Sequence, residues 1–142
     1  MDASEIFTPL VGMLSLTFLV WVHLYVRRIG YMIKHRINAQ KLTTPEKGKA
    51  LIPDAVNFPA YNLANLFELP VVFYALCLFL YVTGNVDPTY VVAAWVFFLL
   101  RVLHSVVHCT FNRVILRFWL YALSALALWF MLARAAMDLL LP

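Results

Sequence analysis

The stretch TYVVAAWVFFLLRVLHSVVHC, residues 89–109, decides the fold because it is long and almost wholly apolar. Arg101, His104 and His108 are its only basic side chains. A helix needs about 20 apolar residues to cross the hydrocarbon core of a bilayer. The stretch therefore predicts a membrane-spanning helix rather than a helix buried in a soluble domain.

Three further apolar stretches flank this one, over residues 7–27, 58–82 and 113–139. The chain is 64% hydrophobic and only 13% charged, whereas a soluble domain carries about 25% charged residues. So few charges could not cover a surface in water, and lipid is the expected solvent. We predict an all-α, integral membrane four-helix bundle that forms a single domain over residues 1–142. Pro70 predicts a kink in the second span, because proline donates no backbone hydrogen bond.

Positive charge is concentrated in the first connection between spans. Seven of the eleven basic residues lie between residues 27 and 49, whereas the second connection carries only Asp87. Because Lys and Arg are enriched in cytoplasmic loops, we expect both termini on the non-cytoplasmic side. The stretch has no aromatic interleaving suited to bases, so we expect membrane lipids and no nucleic acid as partners. The chain length and compact loops favour a bacterial inner membrane.

Polar side chains inside three of the spans fall at one depth and form stripes along the helices. The stripes are Asn65 and Glu68 in the second span, Arg101, His104 and His108 in the third, and Arg113, Arg117 and Tyr121 in the fourth. An ionisable residue costs about 2.5–3.5 kcal/mol at the centre of a span, so such residues usually face protein or a polar cavity. At about 1.5 Å per residue, all three stripes lie in the cytoplasmic half. They predict a pocket open to the cytoplasm, and its excess of cations suits an anionic ligand.

A structural role is the alternative interpretation of these stripes. Glu68 could neutralise Arg101 or an arginine of a neighbouring subunit, and Arg113 could extend to the lipid headgroups. Structural pairing rarely needs so many polar groups at one level of the membrane. The combined set therefore favours a functional site.

The motifs in these spans resemble the MAPEG family, the membrane-associated proteins in eicosanoid and glutathione metabolism. Asn65-Leu-Phe-Glu68, with Pro70 close behind it, resembles the Asn-x-x-Glu of the family's second helix. The ungapped segment 101–121 is similar to the helix-three and helix-four signature of the microsomal prostaglandin E synthases and glutathione transferases. The topology agrees over the whole chain.

The resemblance implies a homotrimer that holds glutathione, as co-substrate, between neighbouring subunits near the cytoplasmic side. It implies that Arg117 is the catalytic arginine that stabilises the glutathione thiolate. A free thiol has a pKa of about 8.5, and a nearby guanidinium favours the thiolate. A lipophilic substrate would reach the sulfur from the bilayer. The residues predicted to bind glutathione or to line its site are Asn65, Glu68, Arg101, His104, His108, Arg113 and Tyr121. The resemblance assigns all of these except His108, which follows from the polar stripe of the third span.

Four positions depart from the family pattern. Tyr61 and Ala64 stand where family enzymes often carry arginines, so two carboxylate clamps are missing. His108 replaces an expected tyrosine, and Phe118 replaces the serine that follows the thiolate arginine in the prostaglandin enzymes. These differences argue against prostaglandin synthesis. Replacement cations could come from Arg27, Arg28, Lys34 or Arg36.

We predict a glutathione-dependent membrane transferase or peroxidase that acts on lipophilic electrophiles. The alternative is a non-catalytic lipid- or partner-binding membrane protein of the same fold, which the missing helix-two arginines favour. A metal or haem site on His104 and His108 is weaker, because neither an HExxH motif nor a carboxylate accompanies them. A proton-coupled transporter with Glu68 as carrier fits worst, because this acid stands among several fixed cations.

Overall fold

The computed structural model describes residues 2–140, which contain six α-helices and no strand. The helices are α1 (Phe7–Lys34), α2 (Pro45–Leu51), α3 (Asp54–Leu66), α4 (Leu69–Val82), α5 (Pro88–Cys109) and α6 (Val114–Leu140). Short 3₁₀ turns occupy Ala3–Ile6 and Ala39–Lys41. The segments long and apolar enough to cross a membrane are Ala3–Lys34, Asp54–Val82, Pro88–Cys109 and Val114–Leu140. The predicted all-α architecture with four spans is confirmed.

Helix α1 continues past residue 27, where the predicted apolar span ends, and it includes residues 29–34 that the sequence left open as a continuation of the helix. No proline interrupts residues 28–34, so α1 runs past the two arginines to Lys34, and the backbone N–H of His35 closes it on the Tyr31 carbonyl at 3.0 Å. The rest of the basic connection is partly helical. Thr44 begins α2 by accepting a hydrogen bond from the Lys47 backbone N–H at 3.4 Å, as expected of an N-cap threonine.

The kink predicted at Pro70 is a complete interruption of the second span. Helix α3 ends at Leu66, and α4 begins at Leu69 with Pro70 in its first turn. Pro70 cannot donate a backbone hydrogen bond to Leu66, and Glu68 leaves the helical conformation with φ −97° and ψ −104°. The interruption frees carbonyl groups at the end of α3 inside the bundle.

Helix α5 is the central helix of the chain and α6 is peripheral. In the most apolar 18-residue segment of α5, 50% of the residues are buried. In the corresponding segment of α6, only 17% are buried. In the core, the rings of Phe73 and Phe97 stack with centroids 4.5 Å apart. Gly12 brings α1 close to α5, because a Cβ atom at this position would lie 2.8 Å from the Phe98 ring. The buried side of α5 is therefore where polar groups from several helices can meet.

A group of polar residues joins the α4–α5 turn to the far end of α6. We call Asp87, Tyr90, Arg134 and Asp138 the Asp87 cluster. Arg134 donates to both carboxylate oxygens of Asp87, one of them at 2.9 Å, and its guanidinium lies 4.5 Å from the centre of the Tyr90 ring. The i,i+4 spacing of Arg134 and Asp138 predicts an ion pair, and the two side chains form a long salt bridge of 4.0 Å between Nε and Oδ2. Asp138 also accepts a hydrogen bond from the Tyr90 hydroxyl at 2.8 Å.

Candidate functional site

The polar stripes of the second, third and fourth spans meet at the interruption between α3 and α4. We call Asn65, Glu68, Arg101, His104, His108, Arg117 and Tyr121 the Arg117 cluster. Beside it lies a cavity of about 260 Å³. The cavity is lined by Asn65, Glu68, His104, Val114, Arg117, Phe118 and Tyr121. The structure thus brings together seven of the eight residues that the sequence assigns to the site.

Arg101 is completely buried and closes the end of α3. Its Nη2 donates to the Asn65 carbonyl at 3.0 Å, so its charge lies at the negative end of the helix dipole. Its guanidinium also lies 4.6 Å from the centre of the Tyr121 ring. Nε and Nη1 are buried without a hydrogen-bond partner among residues 2–140. Unmet donors of a buried cation are costly, and Arg101 is not among the side chains that line the cavity.

His104 connects α5 to the backbone of α6. Its Nδ1 lies 2.9 Å from the Arg117 carbonyl oxygen. Because a carbonyl oxygen only accepts, Nδ1 carries the proton and donates, and a neutral ring then has an acceptor at Nε2. This Nε2 is buried and has no partner within the described part of the chain. His104 therefore positions the first turn of α6 and adds an unmet acceptor beside the unmet donors of Arg101.

Arg117 is held in one orientation by two acceptors. Its Nη1 donates to the Asn112 side-chain oxygen at 2.7 Å and to His108 Nε2 at 2.8 Å. Its Nε and Nη2 form no hydrogen bond within residues 2–140. The guanidinium is thus fixed at the cavity wall while part of its donor set stays available.

Asn112 belongs to the site but was not predicted from the sequence. It follows the end of α5 with φ of +46°, a conformation that asparagine tolerates better than most residues. Its backbone N–H bonds to the Val107 carbonyl at 2.8 Å. The signal was an asparagine directly before a predicted helix, which indicates a turn but does not show where the side chain reaches.

Glu68 and Tyr121 meet across the cavity. The Tyr121 hydroxyl donates to Glu68 Oε2 at 3.1 Å. No salt bridge joins Glu68 to Arg101 among the residues described, so these two side chains do not form a direct ion pair. With two arginines and one glutamate, the cluster has an excess of positive charge.

Arg113 is the predicted site residue that lies away from the others. Helix α6 begins at Val114, and Arg113 precedes it with an exposed side chain beside Ile115 and Trp119. The i,i+4 stripe predicted from Arg113 to Arg117 is therefore split, because helical spacing does not continue past the start of a helix. Within one chain, Arg113 contributes its backbone carbonyl, which accepts from the Arg117 N–H at 3.0 Å.

The first connection does not bring a replacement cation to the cavity wall. Arg27 donates to the Cys109 carbonyl at 3.3 Å and closes the end of α5. Arg28 lies against α2 beside Gly48, where a Cβ atom would be 3.5 Å from its Nη2. Tyr61, at one of the two departing positions in the second span, donates to Asp54 at 2.9 Å on its own helix. The lining residues of the cavity all come from residues 65–121.

Buried polar groups behind the cluster join α3 to α5. Asn62 is fully buried, accepts from the Ser105 hydroxyl at 3.4 Å and lies 3.5 Å from the Cys109 sulfur. Neither Asn62 nor Ser105 was predicted as a site residue.

The rings of His104 and His108 lie 5.5 Å apart, and residues 2–140 contain no group of three His, Cys, Asp or Glu side chains that could hold a metal.

Comparison with known proteins gives one match that spans almost the whole chain. A sequence model of the MAPEG family matches residues 6–137. A search of curated proteins found no significant match, and a search of solved structures found none either. The family match includes every residue of the Arg117 cluster, the second and third spans, and all but the outermost three residues of the first and fourth spans. The chain is an integral, multi-pass membrane protein and belongs to the MAPEG family.

Proposed function

We propose that this protein is a glutathione-dependent membrane transferase or peroxidase that acts on lipophilic electrophiles. The observation that carries the proposal is the fixed guanidinium of Arg117 at the wall of the cavity. Two acceptors hold its Nη1, while Nε and Nη2 have no partner within residues 2–140. A fixed cation with free donors stabilises a thiolate more than a neutral thiol, which increases the population of the nucleophile.

The other members of the cluster suit the polar groups of a tripeptide. His104 lines the cavity and has one unmet acceptor, and Glu68 presents an exposed carboxylate to it. The buried Arg101, which is not among the lining residues, adds positive charge and two unmet donors to the cluster. An ammonium group and two carboxylates, the charged groups of glutathione, would complement this set. Membership of a family concerned with glutathione and eicosanoid metabolism also supports the proposal that the ligand is glutathione.

The chemistry requires the thiolate and an electrophile dissolved in the bilayer. In a transfer reaction, the sulfur forms a bond to an electrophilic carbon, and the displaced electron pair departs with the leaving group. In a peroxidase reaction, the sulfur attacks the O–O bond of a hydroperoxide, which gives an alkoxide and a sulfenic acid. A second glutathione then condenses with the sulfenic acid to give the disulfide and water. Phe118, an exposed apolar side chain at the cavity, suits the approach of a lipophilic substrate.

The proposal includes a homotrimer whose site lies in the cytoplasmic half of the membrane. The cavity is open at the surface of a single chain, and Arg113 is exposed outside it. A neighbouring subunit would close the cavity and could bring further cations to it. The seven basic residues between positions 27 and 49 support a cytoplasmic first connection.

Calorimetric titration of glutathione into detergent-purified protein tests the proposal. We expect wild-type binding, loss of binding in Arg117→Ala, and unchanged binding in Lys41→Ala, which removes an equal charge from the exposed connection. Binding that survives in Arg117→Ala would exclude the assigned role of this arginine. A wild-type protein that binds no glutathione at millimolar concentration would overturn the proposal.

A second candidate is a lipid- or partner-binding protein of the same fold without catalytic activity. The observation that favours it is the absence of arginine at positions 61 and 64, where Tyr61 instead bonds to Asp54 within its own helix. This candidate predicts tightly bound lipid after purification, with no turnover of electrophiles in the presence of glutathione. Mass spectrometry of extracted lipid, together with an electrophile screen, separates the two functions.

A further inference from the structure

We propose that His108 is a positioning residue for Arg117, and that it holds the guanidinium only while its own ring is neutral. The inference rests on the proposed function, because it concerns how the candidate thiolate-stabilising arginine is kept in place. It assigns a specific task to a histidine that stands where relatives are expected to have tyrosine. The hydrogen bond between the two side chains carries the inference.

The direction of this hydrogen bond fixes the protonation state of the ring. Arg117 Nη1 lies 2.8 Å from His108 Nε2, and a guanidinium carries donors only. His108 must therefore accept through an unprotonated Nε2, so that the neutral ring carries its proton on Nδ1. Nδ1 lies 3.5 Å from the amide nitrogen of Asn65, and when this side-chain amide is turned over, its oxygen takes the same place and accepts the Nδ1 proton. His108 thereby connects α3 to α6 through one specific tautomer.

The surroundings make the bond dependent on charge. His108 is only 2% exposed, and the charged or titratable groups that face it are Arg117 from α6 and His104 from its own helix. From α3 it faces the neutral amide of Asn65. In the charged ring, the proton on Nε2 would direct an N–H at an N–H and place two cations in contact, and no carboxylate among residues 2–140 faces the ring to compensate. The charged ring would therefore release Arg117, which would keep only Asn112 as a brace.

The tautomer can be tested without any ligand. Nitrogen-15 NMR of protein labelled at histidine distinguishes a ring protonated on Nδ1 from one protonated on Nε2 or on both. We expect the His108 signals, identified by their loss in His108→Gln, to show Nδ1–H and an accepting Nε2. We expect Arg117→Ala to change the Nε2 signal, and His35→Gln, in the exposed connection, to leave it unchanged. A neutral His108 with its proton on Nε2 would overturn the inference, whatever the protein binds.

Thiolate formation tests the consequence for function. The ultraviolet absorbance of bound glutathione reports the thiolate, and S-methylglutathione binds without forming one. For His108→Leu, which has no acceptor, we expect glutathione affinity to fall roughly 10- to 100-fold, as expected for losing a hydrogen bond to a charged group, with a smaller loss for S-methylglutathione. For His108→Gln, whose amide oxygen can accept but cannot titrate, we expect near-wild-type thiolate at neutral pH. We also expect this variant to lose less thiolate than the wild type as the pH falls.

The outcomes separate this inference from the proposed function. Absence of glutathione binding to the wild type rejects the proposed function, and the NMR measurement still decides whether His108 holds Arg117. Wild-type binding with an equal loss of both ligands in His108→Leu would mean that His108 only shapes the cavity, which overturns the positioning role. Wild-type binding with no rescue by glutamine would also overturn it. A His108→Gln protein that forms thiolate at neutral pH, and loses less of it than the wild type as the pH falls, would establish the positioning role.

Discussion

The Asp87 cluster and the Arg117 cluster occupy different ends of the same pair of helices, α5 and α6, and differ in how completely their polar groups are paired. In the Asp87 cluster, Arg134 bonds both oxygens of Asp87 and stacks on Tyr90, and it has no buried unpaired atom among the described residues. In the Arg117 cluster, Arg101 and His104 together keep three buried polar atoms without a partner.

The difference indicates that the two clusters serve different purposes. A paired, partly exposed ion pair adds modest stability, whereas a buried cation with unmet donors reduces stability unless something binds it. The Asp87 cluster is complete within one chain and fits a structural role. The Arg117 cluster is incomplete within one chain, as expected of groups reserved for a ligand or for a neighbouring subunit.

Among the substitutions that test this contrast between the clusters, Arg101→Met is expected to have the largest effect. Removing the buried guanidinium also removes its unmet donors, so we expect the thermal stability in detergent to stay the same or rise. We expect the affinity for glutathione to fall about 10- to 100-fold, the usual range for losing a hydrogen bond to a charged group. Thermal unfolding and calorimetric titration on the same preparation measure the two quantities.

Arg101→Lys provides the control for this prediction, because it keeps the charge at the end of α3 but loses the planar donor arrangement. An Arg101→Met protein that unfolds at a much lower temperature than wild type would show that Arg101 is mainly structural. The contrast drawn between the two clusters would then be wrong.

The fold could be predicted from the sequence because a long apolar stretch is stable in lipid and not in water, so hydropathy identifies the membrane spans. The stretch 89–109 is helical throughout, and its helix, Pro88–Cys109, begins one residue earlier. The sequence left open whether residues 29–37 continue the first helix, because Arg27 and Arg28 suit a membrane interface but do not break a helix. Pro70 indicated a kink but not how far it would separate α3 from α4, because the geometry of Glu68 depends on packing inside the bundle.

The site could be predicted in part because the residues of α5 share one continuous helix. Arg101, His104 and His108 are one turn apart, so their common face follows from helical periodicity. The same rule failed for Arg113, which lies before the first residue of α6. The bond from His104 to the Arg117 carbonyl could not be read from residue types, because it involves a backbone atom. The roles of these residues towards glutathione stay predictions.

The next effect concerns stability at the other end of α5 and α6. Arg134→Met leaves Asp87 without its bidentate partner and removes the cation above the Tyr90 ring. Because both side chains are about one-third exposed, at 28% and 35%, we expect a loss of only about 1 kcal/mol in the free energy of unfolding. Reversible unfolding in detergent and denaturant measures it, and glutathione affinity should not change. A loss of affinity would show that the clusters are not independent.

A smaller effect is expected from pH, acting through Asp87. Hydrogen bonds from Arg134, and then from the backbone at the start of α5, hold the pKa of this carboxyl below its usual value of 3.8. A lowered pKa in the folded protein means that the stabilisation is complete above pH 3.8. It is lost as the pH falls through the lower, folded value.

Thermal unfolding across this acid range compares the wild type with Asp87→Asn. Asparagine can keep the N-cap bonds to Thr89 and Tyr90 but cannot titrate, so we expect a shallower decline of stability below pH 3.8. Equal slopes in the two proteins would assign the acid sensitivity to other carboxyl groups.

The smallest effect is expected from Tyr121→Phe, which removes a single hydroxyl from the Arg117 cluster. The hydroxyl donates to Glu68 at 3.1 Å, while the ring lies under the Arg101 guanidinium. Phenylalanine keeps the ring and its attraction for the cation, so only the orientation of the Glu68 carboxylate should loosen. We expect glutathione affinity to fall about two- to tenfold, as for losing one ordinary hydrogen bond, with no measurable change in stability. Tyr121→Leu, which also removes the ring, should weaken binding further, and a Phe variant as weak as the Leu variant would assign the whole contribution of Tyr121 to its hydroxyl.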